Sequence, residues 1–179
     1  MYFDKFPTIP YDSQGNGEVK DVTNILKRVK ARTKMIESTS IFDTYDIKDG
    51  ETPEMLAHRL YDDINKHWVI LMFNNITDRF HGWPMSQIQF DQYITDKYGT
   101  SSGSVHHYEI DEESGHSDAP LNKIDIGTDN TLYPSATAIT NLVYEQNRQD
   151  ELRKIKLLDP RYVDDFVSEF NKKIKETVI

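Results

Sequence analysis

Leu56, Leu60 and Ile64 recur every four residues, with Ala57 and Tyr61 beside them, so the stretch after Thr52 predicts an amphipathic helix. Its start is well marked. Asp49-Gly50 is a turn dipeptide in which glycine supplies the positive φ of a tight bend, and Thr52 can cap the first turn. Pro53 suits the first helical position, and Glu54 lies near the positive end of the helix dipole. Tyr45 to Lys48, just upstream, predicts a short strand. Trp68 to Phe73 is an unbroken apolar run, WVILMF, whose periodicity fits a buried strand or a buried helix equally. Leu71 and Met72 are good helix formers and Asn74-Asn75 supplies a C-terminal cap, which favours helix. A helix apolar on every side needs cover on every side, from the rest of the chain or from a partner protein.

The same reading extends outward. Val22, Ile25, Leu26 and Val29 behind Asp21 predict an amphipathic helix over residues 22–31. Ser86 and Gln89 have capping-box spacing, and Phe90, Tyr93, Ile94 and Tyr98 share one face of a helix over 87–98 that Gly99 ends. Val105 to Ile110 predicts a strand, with Lys123 to Ile126 as its hairpin partner. Residues 136–145 fit both periods, and a strand is favoured there. Leu152 to Leu158 alternates as a strand. Asp159 and Pro160 then open a last helix with a stripe of Val163, Phe166, Val167, Phe170 and Ile174, and Lys172, Lys173 and Lys175 near its negative end. The expected fold class is α+β. Residues 1–40 form an N-terminal arm and helix, and 160–179 the C-terminal helix.

Strand, Asp-Gly-Glu-Thr turn, helix, gap, tryptophan-led helix and closing asparagine resemble the first elements of a LysM module, which implies a β-α-α-β core over 41–76 plus 151–159, with Leu152 to Leu158 paired with Tyr45 to Lys48 and residues 77–150 as an insertion that splits it. The longer run DGETPEMLAHRLYDDINKHWVILMFNNITDRFHGWPMS resembles the LysM-like baseplate wedge subunit of T-even-like contractile-tailed phages, above all at Asp49 to Pro53, His67-Trp68, Asn74 to Asp78 and Trp83-Pro84. That resemblance implies a non-enzymatic virion protein of the tail baseplate, assembled in the host cytoplasm in six copies. It would join other wedge proteins around the hub, with the sheath-initiating subunit as a further partner. A peptidoglycan-binding LysM module is the alternative. Its glycan groove lies between the strand-to-helix loop and the loop before the second strand, and here the long insertion replaces the second loop.

Composition narrows the choice. With 179 residues, 37% of them hydrophobic and 11% aromatic, the chain can bury one modest core. A formal net charge of -9 argues against a general nucleic-acid binder and favours a protein partner. The absence of cysteine excludes disulfides and thiolate zinc sites. Neither an export signal nor a membrane span is expected. One basic cluster stands out, Lys27, Arg28, Lys30, Arg32 and Lys34, read as a solvated helix face or a dock for an acidic neighbour.

Candidate chemistry is sparse. Gly99-Thr100-Ser101-Ser102-Gly103 matches the nucleophile-elbow pattern, but the expected helix precedes and the strand follows, the reverse of the order that chemistry needs. His106, His107 and His116 lie around Asp111, Glu112 and Glu113. Adjacent strand residues point to opposite faces, so no convergent metal set is expected. No phosphate-binding glycine loop occurs, and neither a cofactor nor catalysis is expected. The candidate site residues are instead apolar anchors for partner proteins: Tyr2, Phe3, Phe6, Trp68, Phe73, Trp83, Phe166 and Phe170.

Overall fold

The computed structural model describes residues 2–27, 41–111 and 123–176, which fall into two compact units, 1–83 with 154–179, and 84–153. The fold is α+β. In the first unit β3 (Phe42–Asp46) pairs antiparallel with β7 (Lys154–Leu158), Phe42 opposite Leu158 and Tyr45 opposite Ile155. Between them in sequence come α1 (Pro53–Tyr61), a 3-10 turn at Ile64–Lys66, and α2 (His67–Phe73). The start of α1 follows its sequence signals, since Thr52 Oγ1 accepts the Met55 N–H at 3.3 Å. Asp62 in the left-handed conformation ends the helix.

The apolar run is helical and covered within its own unit. Val69, Ile70 and Phe73 are buried, and Trp68, Leu71 and Met72 are half-buried against the same core. Cover on one side comes from α6 (Pro160–Glu176), whose Val163, Phe166, Phe170 and Ile174 are all buried. Phe166 meets Phe73 at 6.2 Å between ring centroids, and Phe170 meets Trp68 at 4.7 Å. Cover on the other side comes from β7, to which α2 is stitched by one side chain. Asn74 donates from Nδ2 to the Lys156 carbonyl at 2.7 Å and accepts the Lys156 N–H on Oδ1 at 2.8 Å, as a neighbouring strand would.

The N-terminal segment departs from expectation. Tyr2–Lys5 is a 3-10 turn, and Phe6 is buried against Phe170 and Ile174 of α6. Thr8–Tyr11 (β1) and Lys20–Thr23 (β2) then form an antiparallel hairpin in place of the start of the expected helix over 22–31. Residues 25–26 form a turn, and 28–31 lie outside the described residues, as does the basic cluster beyond Lys27. The reason is local. Asp12 Oδ1 accepts the N–H groups of Gln14, Gly15 and Asn16, and Oδ2 that of Gly17, while Gly15 and Gly17 take φ of 69° and 83°. These bonds, that from Gly17 foremost, hold the Asp12 carboxyl below the usual carboxylate range. The loop so closed returns Val22 opposite Ile9, and strand pairing takes the first of the residues whose spacing imitated a helix.

Residues 79–82 form a short helix, α3 (Arg79–Gly82). In the second unit α4 (Gln87–Tyr98) carries the full capping box, with Ser86 N–H donating to Gln89 Oε1 and Gln89 N–H to Ser86 Oγ. A three-stranded sheet has the order β5 (Lys123–Asp125), β4 (Val105–Asp111), β6 (Thr137–Thr140), all antiparallel. Residues 136–145 are not one strand. β6 stops at Thr140, whose Oγ1 accepts the Val143 N–H at 3.3 Å, and α5 (Asn141–Arg153) begins there. Leu152 and Arg153 therefore finish a helix, and only 154–158 are strand. Residues 102–104 are tied to the start of α5, since the Ser102 and Ser104 carbonyls accept the Leu142 and Asn141 N–H groups. Among the described residues no helix is long and apolar enough to cross a membrane.

Candidate partner-binding surface

Six of the eight aromatic candidates converge in the first unit. Tyr2 stacks on Phe170 with centroids 5.4 Å apart and lies 5.2 Å from Trp68; Phe3 and Phe6 meet Tyr2 edge-on at 4.9 and 5.0 Å. Phe166 and Phe170 complete the group from α6. Phe73 lies on its inner side, between Phe42 and Phe166. Most of these rings face inward. Phe6, Phe73, Phe166 and Phe170 are buried, Tyr2 and Trp68 half-buried, and Phe3 is 53% exposed. The exposed side of the cluster is thus made by Phe3 with the outer edges of Tyr2 and Trp68.

Trp83 stands apart from this group, buried in the main core with its indole N–H donating to the Glu51 carbonyl at 2.8 Å. Glu51 is itself a hub. Its Oε2 accepts from Tyr45 Oη at 2.9 Å and from the Lys48 N–H at 3.2 Å, and its Oε1 pairs with Arg59 at 2.8 Å. Arg59 also donates to Tyr45 Oη. Strand β3, the turn after it, α1 and Trp83 are tied together through one residue, and the polar groups of the strand-to-helix loop at Glu51 are engaged internally. Nearby, Tyr61 Oη donates to the Leu158 carbonyl, and burial pushes its phenol up.

In the second unit His106 and His107 do converge, contrary to the alternation expected of neighbours on a strand. A register shift between Val105 and His107 breaks the alternation, and the two Nδ1 atoms lie 2.9 Å apart, one donating and one accepting. His106 stacks on Tyr144 with centroids 3.8 Å apart, and His107 Nε2 meets Glu109 Oε1 at 3.1 Å. Asp111 is engaged by Lys123, and Glu112, Glu113 and His116 lie outside the described residues. No set of three metal-ligating side chains occurs among the described residues. Ser101 ends a 3-10 turn, Gly99–Ser101, and the Ser101 carbonyl accepts from the Asn141 side chain. That backbone is not the strand-to-helix elbow a serine nucleophile needs.

The strongest buried charge was not legible beforehand. Glu145, 1% exposed, accepts from Lys97 Nζ at 2.6 Å and Tyr98 Oη at 2.8 Å, with Arg148 at 3.4 Å. Burial alone would raise its carboxyl, but the bonds from Lys97 and Tyr98 outweigh that and hold it below the usual range. Exposed apolar side chains were also missed. Phe80 is 84% exposed on α3 in the first unit; in the second, Ile88 is 83% and Leu132 86% exposed. For Ile88 the signal was present: it stands two residues before Phe90, about 200° around the helix from the buried face.

The sequence matches the family described as base plate wedge protein 53 over residues 1–173. It is also 26% identical over 183 residues to the baseplate wedge protein gp53 of Enterobacteria phage T4, a similarity covering 94% of this chain and 93% of that relative. A match along nearly the whole chain includes both compact units and the elements that build the aromatic cluster, and the chain belongs to the base plate wedge protein 53 family.

Proposed function

We propose that this chain is a structural, non-catalytic subunit of the phage tail baseplate wedge that bridges neighbouring wedge proteins during assembly around the hub. The observation that carries this reading is the family match over residues 1–173, which spans both units. On this reading it is assembled in the host cytoplasm, occurs in six copies per baseplate, and touches other wedge proteins and the sheath-initiating subunit. Its β3-α1-α2-β7 arrangement is a LysM-like core used as a scaffold. The geometry at Glu51 supports protein contact over glycan recognition, because the carboxylate and carbonyl of the strand-to-helix loop are already bonded to Tyr45, Arg59, Lys48 and Trp83.

Partner contact falls to the exposed members of the aromatic cluster, Phe3 with the edges of Tyr2 and Trp68, while Phe6, Phe73, Trp83, Phe166 and Phe170 hold the scaffold behind them. The test adds purified protein to an extract of infected cells that lacks it. Co-sedimentation with baseplate intermediates, and its loss in Phe3→Ala, is the expected result. A protein that stays at the top of the gradient while binding an N-acetylglucosamine oligomer at micromolar strength would replace this reading with the glycan one.

A further inference from the structure

The two edges of the β1–β2 hairpin differ. The Asn24 N–H donates to the Pro7 carbonyl at 2.8 Å, which makes Pro7 and Asn24 a hydrogen-bonded pair. Alternation along an antiparallel ladder then makes Ile9 with Val22, and Tyr11 with Lys20, the next bonded pairs. Pro10, opposite Asp21, fits this phase because it has no N–H to give. The main-chain groups of Thr8 and Pro10 therefore point outward from β1, and those of Asp21 and Thr23 outward from β2. The β1 edge is interrupted by proline, a common guard against strand pairing. The β2 edge has no such guard. The Thr23 carbonyl accepts the Ile25 N–H, and the outward N–H groups of Asp21 and Thr23 have no acceptor among the described residues.

The two faces differ as well. Ile9, Tyr11, Lys20 and Val22 share one face, where Tyr11 is 55% and Val22 37% exposed; Thr8, Pro10, Asp21 and Thr23 share the other. Every residue of β2 is exposed. A two-stranded ribbon with an uncovered apolar face is marginal in water, and a third strand is the usual remedy.

We infer that the outer edge of β2 is a strand-addition site for an extended segment of a neighbouring baseplate subunit. The segment's residues alternate, apolar on the Ile9, Tyr11 and Val22 side, with a lysine or arginine set against Asp21. A cationic segment is favoured over a second copy of this chain, because the chain carries a formal net charge of -9 and two copies repel. Main-chain hydrogen bonds from Asp21 and Thr23 hold the segment, and the alternate side chains select it. The inference rests on the wedge reading above.

The test uses proline as a donor deletion. Asp21→Pro with Thr23→Pro removes two outward N–H groups and leaves the bonded pairs of the hairpin in place, and Thr8→Pro does the same on the opposite edge. Incorporation of the Asp21/Thr23 double variant into baseplate intermediates is expected to fall about tenfold, as for two lost hydrogen bonds. Thr8→Pro is expected to incorporate as the wild type does. Amide exchange on the wild-type protein gives a readout that needs no variant, and the Asp21 and Thr23 amides are expected to slow on incorporation. Unchanged exchange at these two amides, full incorporation of the double variant, or a wild-type dimer that the double variant abolishes would each overturn the inference. Failure of the wild-type protein to incorporate would instead remove the wedge reading, and this inference with it.

Discussion

Phe170→Ala removes the ring on which the N-terminal segment and α2 meet α6. Phe170 is 3% exposed, with Trp68 at 4.7 Å, Tyr2 at 5.4 Å and Phe6 at 6.1 Å between centroids. Truncating a phenylalanine in such a setting costs about 3–5 kcal/mol, from lost transfer free energy and from the cavity left behind. A loss of that size lowers the melting temperature by roughly 10 °C. Urea denaturation followed by tryptophan fluorescence suits the measurement, since Trp68 touches the mutated ring and Trp83 lies in the same unit. Phe6→Ala is expected to cost less alone, and the double variant to fall short of additivity by about 0.5–3 kcal/mol, because the two rings share one cavity. A loss under about 1 kcal/mol for Phe170→Ala, or strict additivity with Phe6→Ala, would refute the packing of the N-terminal segment on α6.

Asn74→Ala is expected to cost about 1–3 kcal/mol in the same denaturation assay, because both bonds from its amide to the Lys156 backbone disappear while α2 keeps its helical bonds. Glu145 gives a pH signature. Its folded carboxyl lies below the unfolded value of about 4.3, so its contribution is complete above that value and is lost as pH falls through the lowered folded one. Glu145→Gln is expected to flatten part of the acid-side fall in urea midpoint, measured from pH 7 down to about 3, and an unchanged slope would count against the buried network. Trp83→Phe deletes the bond to the Glu51 carbonyl and leaves part of the buried indole's volume unfilled, for an expected loss of about 1–3 kcal/mol in the same urea assay.

Elements with both a start signal and a face were legible in the sequence. Thr52 with Pro53, Ser86 with Gln89, and Asp159 with Pro160 each mark a helix that the structure begins where the signals stand. The pairing of β3 with β7, far apart in sequence, was implied by the resemblance to a LysM module rather than by alternation, and the structure pairs Tyr45 with Ile155 as that resemblance requires. Failures came where a local structure of different period used the same residues. Val22 has helical spacing to Ile25 and Leu26, yet the Asp12 loop delivers it to Ile9 as a strand residue. Thr140 serves both as the end of β6 and as a cap for α5, so a single assignment for 136–145 had no right answer. The His106–His107 pair escaped because a bulge is a property of pairing, visible only once β6 is in place.

The aromatic candidates show a related limit. Sequence spacing identified residues with large apolar surfaces, but it did not separate rings that bury each other, such as Phe73 and Phe166, from one left open, such as Phe3. That distinction depends on α6 folding back over α2, which composition does not express.

If, as proposed, this chain is a built-in part of the baseplate wedge, a cryo-electron-microscopy reconstruction of baseplates from the phage that carries it will show it in place. Density for the β3-α1-α2-β7 core with α6 across it, repeated six times around the hub and contacted by neighbouring subunits, is the expected result. Purified baseplates that lack the chain altogether would contradict it.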